Sequence, residues 1–122
     1  MECQVRSADR TFFEGDATMV VARSARGEFA VLDGHAPLLA TLRSGPLRIQ
    51  TAEGERVFAG FGGTLHVSED AAVTVLLEDA VALEEIDLTT PDASTSDLGE
   101  SAELEETRER LAVLRAVKET YG

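Results

Sequence analysis

A chain of 122 residues is long enough for one compact domain with a small appendage and too short for two ordinary ones. Its formal charge of −12, from 23 acidic and 11 basic side chains, repels phosphate backbones and anionic lipid, which excludes nucleic-acid binding. Cys3 is the only cysteine, no apolar run is long enough to span a bilayer, and Met1-Glu2-Cys3-Gln4 lacks the features of a signal peptide. The expectation is a soluble protein kept in a reducing compartment.

From the N-terminus to about residue 86 the chain reads as short strands separated by turn signals, among them Glu14-Gly15-Asp16, Arg26-Gly27, Asp33-Gly34, Ser44-Gly45-Pro46 and Glu53-Gly54-Glu55. The strand Phe29 to Leu32 runs into the Asp33-Gly34 turn, followed by His35, Pro37 and the apolar pair Leu38-Leu39. Leu47 and Ile49 then alternate with Arg48 and Gln50, Leu65 and Val67 with Thr64 and His66, and Val73, Val75 and Leu77 with Thr74 and Glu78. A period of two means half-buried strands, and many short strands with close-spaced turns mean a β-sandwich or barrel. The glycines of Gly60-Phe61-Gly62-Gly63 are expected at tight turns or close backbone approaches.

After Glu84-Glu85 the pattern changes. Residues 1–77 carry 10 acidic and 7 basic groups, whereas residues 78–122 carry 13 and 4. Thr89 to Asp97 is polar and holds Pro91, as a linker does, and Ser101 to Tyr121 places Leu104, Leu111, Leu114, Val117 and Tyr121 on one arc of a helix. The expected fold is mainly β with an α tail. An antiparallel β-sandwich occupies residues 1–86, and a linker and C-terminal helix occupy 87–122.

The side chains that could carry chemistry do not converge in the sequence. His35 and His66 are the only histidines, with no His-x-His pair to begin a metal site. No serine stands in a nucleophile elbow, and no glycine-rich segment carries the Lys-Ser/Thr of a phosphate loop. The reading is therefore a non-enzyme with no catalytic residue, no cofactor-binding residue and no metal ligand. His35 is expected to fix its turn by hydrogen bonding, with His66 on the polar face of its strand. The alternative function is a free-standing acidic β-sandwich that binds a small ligand or sugar. Against it stand the absence of Trp, a single Tyr and five Phe mostly in strands.

Four segments in order resemble the epsilon subunit of F-type ATP synthases, over about Phe12 to Ile86. They are GEFAVLDGHAPLL at Gly27 to Leu39, Gly-Pro-Leu-Arg-Ile at Gly45 to Ile49, Phe-Gly-Gly-Thr-Leu-His-Val at Phe61 to Val67, and Val-Thr-Val-Leu at Val73 to Leu76. The resemblance implies a subunit of the central stalk that joins the gamma subunit to the c-ring of the membrane sector. It implies a peripheral place on the cytoplasmic face of a bacterial membrane, without insertion. It also implies that a loop over residues 26–35 faces the c-ring, with Glu28, Arg26 beside it, and His35. Gamma is expected on an apolar patch of one sheet.

In the family the C-terminal helix can reach the catalytic beta subunits and restrain ATP hydrolysis. Here Arg108 and Arg115 are the candidate contacts, but the helix carries four basic against five acidic groups, so any restraint is expected to be weak. The helix is expected to rest on the sandwich through Leu104, Leu111 and Leu114. The family's ATP motif begins at Ile86-Asp87 but meets Thr90 and Pro91 where Arg and Ala are needed, so little or no ATP binding is expected.

Overall fold

The structure is a computed structural model that describes residues 1–86 and 101–122, the side chains of 101–107 and 109 excepted. Eight strands are formed: β1 (Glu2–Arg6), β2 (Thr11–Asp16), β3 (Met19–Ser24), β4 (Gly27–Leu32), β5 (Leu38–Leu42), β6 (Gly45–Thr51), β7 (Gly54–Val67) and β8 (Val73–Ala82). A 3-10 turn at Leu83–Glu85 follows, and later the helix α1 (Ser101–Tyr121). The proposed linker, with Thr90 and Pro91, lies outside the described residues. The strand order is β2-β1-β8-β7-β5-β3-β4, with β6 bonded to both β3 and β7. All pairs are antiparallel except β1 with β8, where Cys3 to Arg6 run alongside Val73 to Leu76.

One sheet becomes two layers because strands β7 and β8 and the junction of β5 with β6 turn a common corner. Along β7 the inward residues are Phe58 before the corner but Leu65 and Val67 after it, a change from even to odd positions. Along β8 the inward set changes from Val73, Val75 and Leu77 to Ala80 and Ala82. Leu42 of β5 and Leu47 and Ile49 of β6 show the same change across Arg43-Ser44. Cross-strand register is nonetheless kept: Leu42 faces Gly63, Gly45 faces Gly60, Phe61 faces Asp79 and Gly63 faces Leu77. Since side chains alternate strictly along a strand, the swap of faces requires a local kink in β7 and in β8, while Arg43-Ser44 makes the change between β5 and β6.

Gly62, at φ +56°, supplies the kink in β7. Gly63 beside it passes so close to β8 that a Cβ there would collide with the carbonyl oxygen of Leu76. These glycines thus serve as a corner and a close approach within one strand; the close approach was expected, whereas Gly62 bends a strand and does not end it at a tight turn. Gly63→Ala is expected to cost about 1–3 kcal/mol through overpacking and to lower the melting temperature by several degrees. Thermal unfolding followed by circular dichroism checks this, and an unchanged midpoint would show that the backbone contact yields freely.

The inner faces meet in a core of Val5, Val20, Val31, Ile49, Phe58, Leu65 and Val75, with Cys3 and other apolar neighbours. A second cluster lies on the outside of one layer, where Val57, Ala59 and Phe61 of β7 and Ile86 are buried with Val117 of α1. The first half of β7 is therefore buried on both faces, which accounts for its unbroken apolar run Val57-Phe58-Ala59.

Helix α1 reaches this cluster through Val113, Leu114, Val117 and Tyr121, a spacing that aligns them on one stripe. Leu114 docks as expected and Leu104 falls among the undescribed side chains. Leu111 is half-buried but outside the cluster, and Val113 takes the place expected for it. At about 100° per residue the docked stripe of positions 113, 114, 117 and 121 centres about 100° round the helix from position 111, so the stripe is rotated relative to the leucine pattern.

Candidate interaction surfaces

The sequence motif Gly27 to Leu39 is resolved into strand β4 and a turn at each end. In the β3–β4 turn, the Ser24 hydroxyl donates to the Gly27 carbonyl at 3.1 Å and accepts from the Arg26 N–H at 3.2 Å. Arg26 and Glu28 are both exposed, and Glu28 stands in register with Arg23 on β3. At the other end, the His35 N–H donates to the Leu32 carbonyl at 3.0 Å, and the His35 Nδ1 lies 2.6 Å from the Ala36 carbonyl oxygen. His35 thus holds its turn, as its isolated position between Gly34 and Pro37 suggested.

Residues 26–35 are not one loop. Arg26 and His35 sit at opposite ends of β4, roughly 20 Å apart at the rise of a strand. A single flat partner surface at one end of the sandwich meets Arg26 and Glu28, or His35, but not all three. The sequence reading missed this because glycine and aspartate near a strand mark turns without saying which end of the fold each occupies.

The outer faces of the two layers differ. One is closed by α1, where Arg110 donates to Asp79 Oδ2 at 3.0 Å and lies over the Phe61 ring at 4.7 Å. At the far end of the helix Arg48 bonds Glu55 at 2.9 Å and sits 5.4 Å from the Tyr121 ring. The bond to Glu55 raises the Arg48 pKa further, fixing it as a cation. Arg108 and Arg115 point to solvent.

No helix among the described residues covers the other outer face. There Leu39 is 71% exposed and Leu76 46%, on a bed of Thr41, Thr64, His66, Thr74 and Gln4. The register sets these residues side by side: Leu39 faces His66, Thr41 faces Thr64, Thr64 faces Leu76, and Thr74 faces both His66 and Gln4. This patch carries exposed leucines without a charge at its centre, the composition of a docking surface. The sequence signal for it was the outward members of the alternating strands, Leu39 and Leu76, standing where polar residues would be usual.

Among the described residues no three of His, Cys, Asp and Glu converge on a common point. Burial pushes the Cys3 thiol up to about 12, which leaves it protonated and unreactive. A cleft of about 630 Å³ beside the corner holds Arg43, Phe61, Glu78 and Arg110, but the Phe61 ring is capped by Arg110, whose charge Asp79 meets. Phe58 is buried as well, and Phe12 lies under Arg10 at 4.8 Å. The aromatic platform that a sugar site needs is missing among the described residues, and the small-ligand alternative has no support.

Residues 1–83 match the family model of the ATP synthase delta/epsilon chain β-sandwich domain. The ATP synthase epsilon chain of Streptomyces griseus is 40% identical over 88 residues, covering 72% of this chain and 71% of the relative. That of Acinetobacter baylyi is 39% identical over 88 residues, 71% of this chain and 63% of the relative. Among solved structures, a chain of the Euglena gracilis mitochondrial ATP synthase superposes with a TM-score of 0.74 at 20% identity, over 98% of this chain and 80% of that one. A chain of the Tetrahymena thermophila central stalk and c-ring assembly gives 0.69 at 17% identity, over 97% and 96%. At these identities the structural likeness speaks to the fold.

Proposed function

The chain belongs to the delta/epsilon family of ATP synthase subunits, and on that premise we propose that it is a non-catalytic coupling piece of the central stalk, joining gamma to the c-ring. The observation that carries the reading is the division of its outer faces. Helix α1 covers one layer, and the other offers Leu39 and Leu76 on a bed of threonines, His66 and Gln4, with Arg6 at its edge beside Leu76. Gamma takes the open face, next to the turn that His35 holds. The close-packed sandwich suits transmission of torque, since dense interiors pass strain on.

A stable contact of this kind buries roughly 1,000 Å² or more. Titrating the isolated chain into purified gamma is the test, and no binding at micromolar concentration would overturn the proposal.

The end of β4 that carries Arg26 and Glu28 meets the polar loops of the c-ring. Glu28 is exposed on an edge strand and takes part in none of the ion pairs among the described residues. Glu28→Ala is therefore expected to lower proton-coupled ATP synthesis while leaving the melting temperature within a degree or so, because a lone rim charge contributes little to folding. A fall in melting temperature with coupling intact would count against this placement.

The organisation proposed is a sandwich over 1–86 and a tail over 87–122. Arg108 and Arg115, exposed one heptad apart, are the tail's groups for a contact with the beta subunits. The near balance of charge on the helix makes that contact a weak brake. No helix among the described residues is long and apolar enough to cross a membrane, consistent with a peripheral subunit, which we place on the cytoplasmic face of a bacterial membrane.

A further inference from the structure

We infer that His66 makes attachment of gamma pH-sensitive, weakening it as the imidazole gains a proton; this rests on gamma docking at the open face proposed above. His66 is exposed near the middle of that face. Its direct cross-strand neighbours are Leu39 on β5 and Thr74 on β8, and Thr64 and Ser68 flank it along β7. The diagonal positions hold Thr41 and Leu76. None of these can carry charge.

The nearest charged groups stand further off. Gln4 on β1 lies two strands from His66, or about 10 Å, with Glu2 and Arg6 on either side of it along the same face. Arg6 is in register with Leu76, and Glu78 follows Leu76 on the same face of β8. Glu14 on β2 is one strand beyond and in register with Gln4, whose side-chain amide lies 3.4 Å from it. Glu69 and Asp70 are in the exposed turn that follows the strand. Asp33 and His35 belong to the turn before β5, and Asp33 lies 3.6 Å from the Met1 ammonium. No carboxylate of the described residues pairs with His66.

In the free chain water solvates either form of the ring. A partner covering Leu39 and Leu76 strips that water, and none of the side chains next to His66 among the described residues replaces it for an imidazolium. The bound state therefore favours neutral His66. Affinity is full above the range in which an imidazole titrates and falls as pH drops through it, and binding at intermediate pH releases a proton.

Affinity of the whole chain for purified gamma is measured at pH 8 and pH 5.5 for the wild type, His66→Gln and His35→Gln. The chain has only these two histidines, so each variant controls for the other. The expected result is about tenfold weaker binding at the lower pH for the wild type and His35→Gln. His66→Gln should lose little of its affinity over the same interval. An equal fall in His66→Gln, or binding that tightens at pH 5.5, would overturn the inference while leaving gamma as the partner. Absence of binding by the wild type at either pH would defeat the partner assignment and the inference with it.

Discussion

Val117→Asp is expected to free α1 from the sandwich and leave the sandwich folded. Val117 is 1% exposed at the centre of the outer cluster, against Val57, Ala59, Phe61 and Ile86. Burial of a side chain of this kind stabilises by about 1.5–3 kcal/mol, and an unpaired carboxylate in its place reverses the sign and adds a desolvation cost of several kcal/mol. The remaining contacts, from Val113, Leu114 and Tyr121, cannot offset both. A released helix of 21 residues loses most of what holds it, because helices in proteins owe their stability mainly to tertiary packing of an apolar face. Hydrogen exchange over residues 108–121 should rise by about a hundredfold or more, and helical ellipticity should fall, while amides of β7 and β8 stay protected. Global unfolding, or a helix as protected as before, would show that the docking is assigned wrongly. Arg110→Gln is the contrasting case: its ion pair with Asp79 is about 40% exposed on each side, so solvent screening leaves it at about 0–1 kcal/mol.

That outer cluster also marks the limit of what the sequence discloses. Strands β6, the second half of β7 and β8 were legible because Leu47/Ile49, Leu65/Val67 and Val73/Val75/Leu77 keep one face to the core. The corner was not legible. A change of inward parity at Gly62, at Arg43-Ser44 and at Glu78-Asp79 looks in the sequence like three separate interruptions, and only pairing shows that they are one feature. The parallel pairing of β1 with β8 brings together residues some seventy apart in the chain, a link without local signal. Of the interaction residues, the turn-holding role of His35 followed from its neighbours in the chain, whereas Arg110 stood out only once Asp79 and Phe61 had been brought beneath it. The separation of Arg26 from His35 likewise depends on where a strand lies in the fold.

The open face yields the other large effect. Leu39→Asp with Leu76→Asp is expected to weaken binding to gamma by about a thousandfold, or roughly 4 kcal/mol. Each change removes an apolar anchor and places a carboxylate in the covered interface, at position 39 among uncharged neighbours and at position 76 beside Arg6. Folding should be nearly untouched, since both side chains are largely in solvent and neither belongs to a core cluster. Leu32→Asp is the informative control. Leu32 is 56% exposed, as apolar as the other two, but it lies on edge strand β4 in register with Met19, on the face that α1 shares. If exposed leucines bound gamma merely by being apolar, all three substitutions would weaken the complex alike. A docking face defined by β5, β7 and β8 predicts that Leu32→Asp changes affinity less than threefold, read by titration of gamma with each variant at one salt concentration. Loss of binding with Leu32→Asp and retention with the double variant would move gamma to the layer beside the helix and overturn the division of faces on which the proposed function rests.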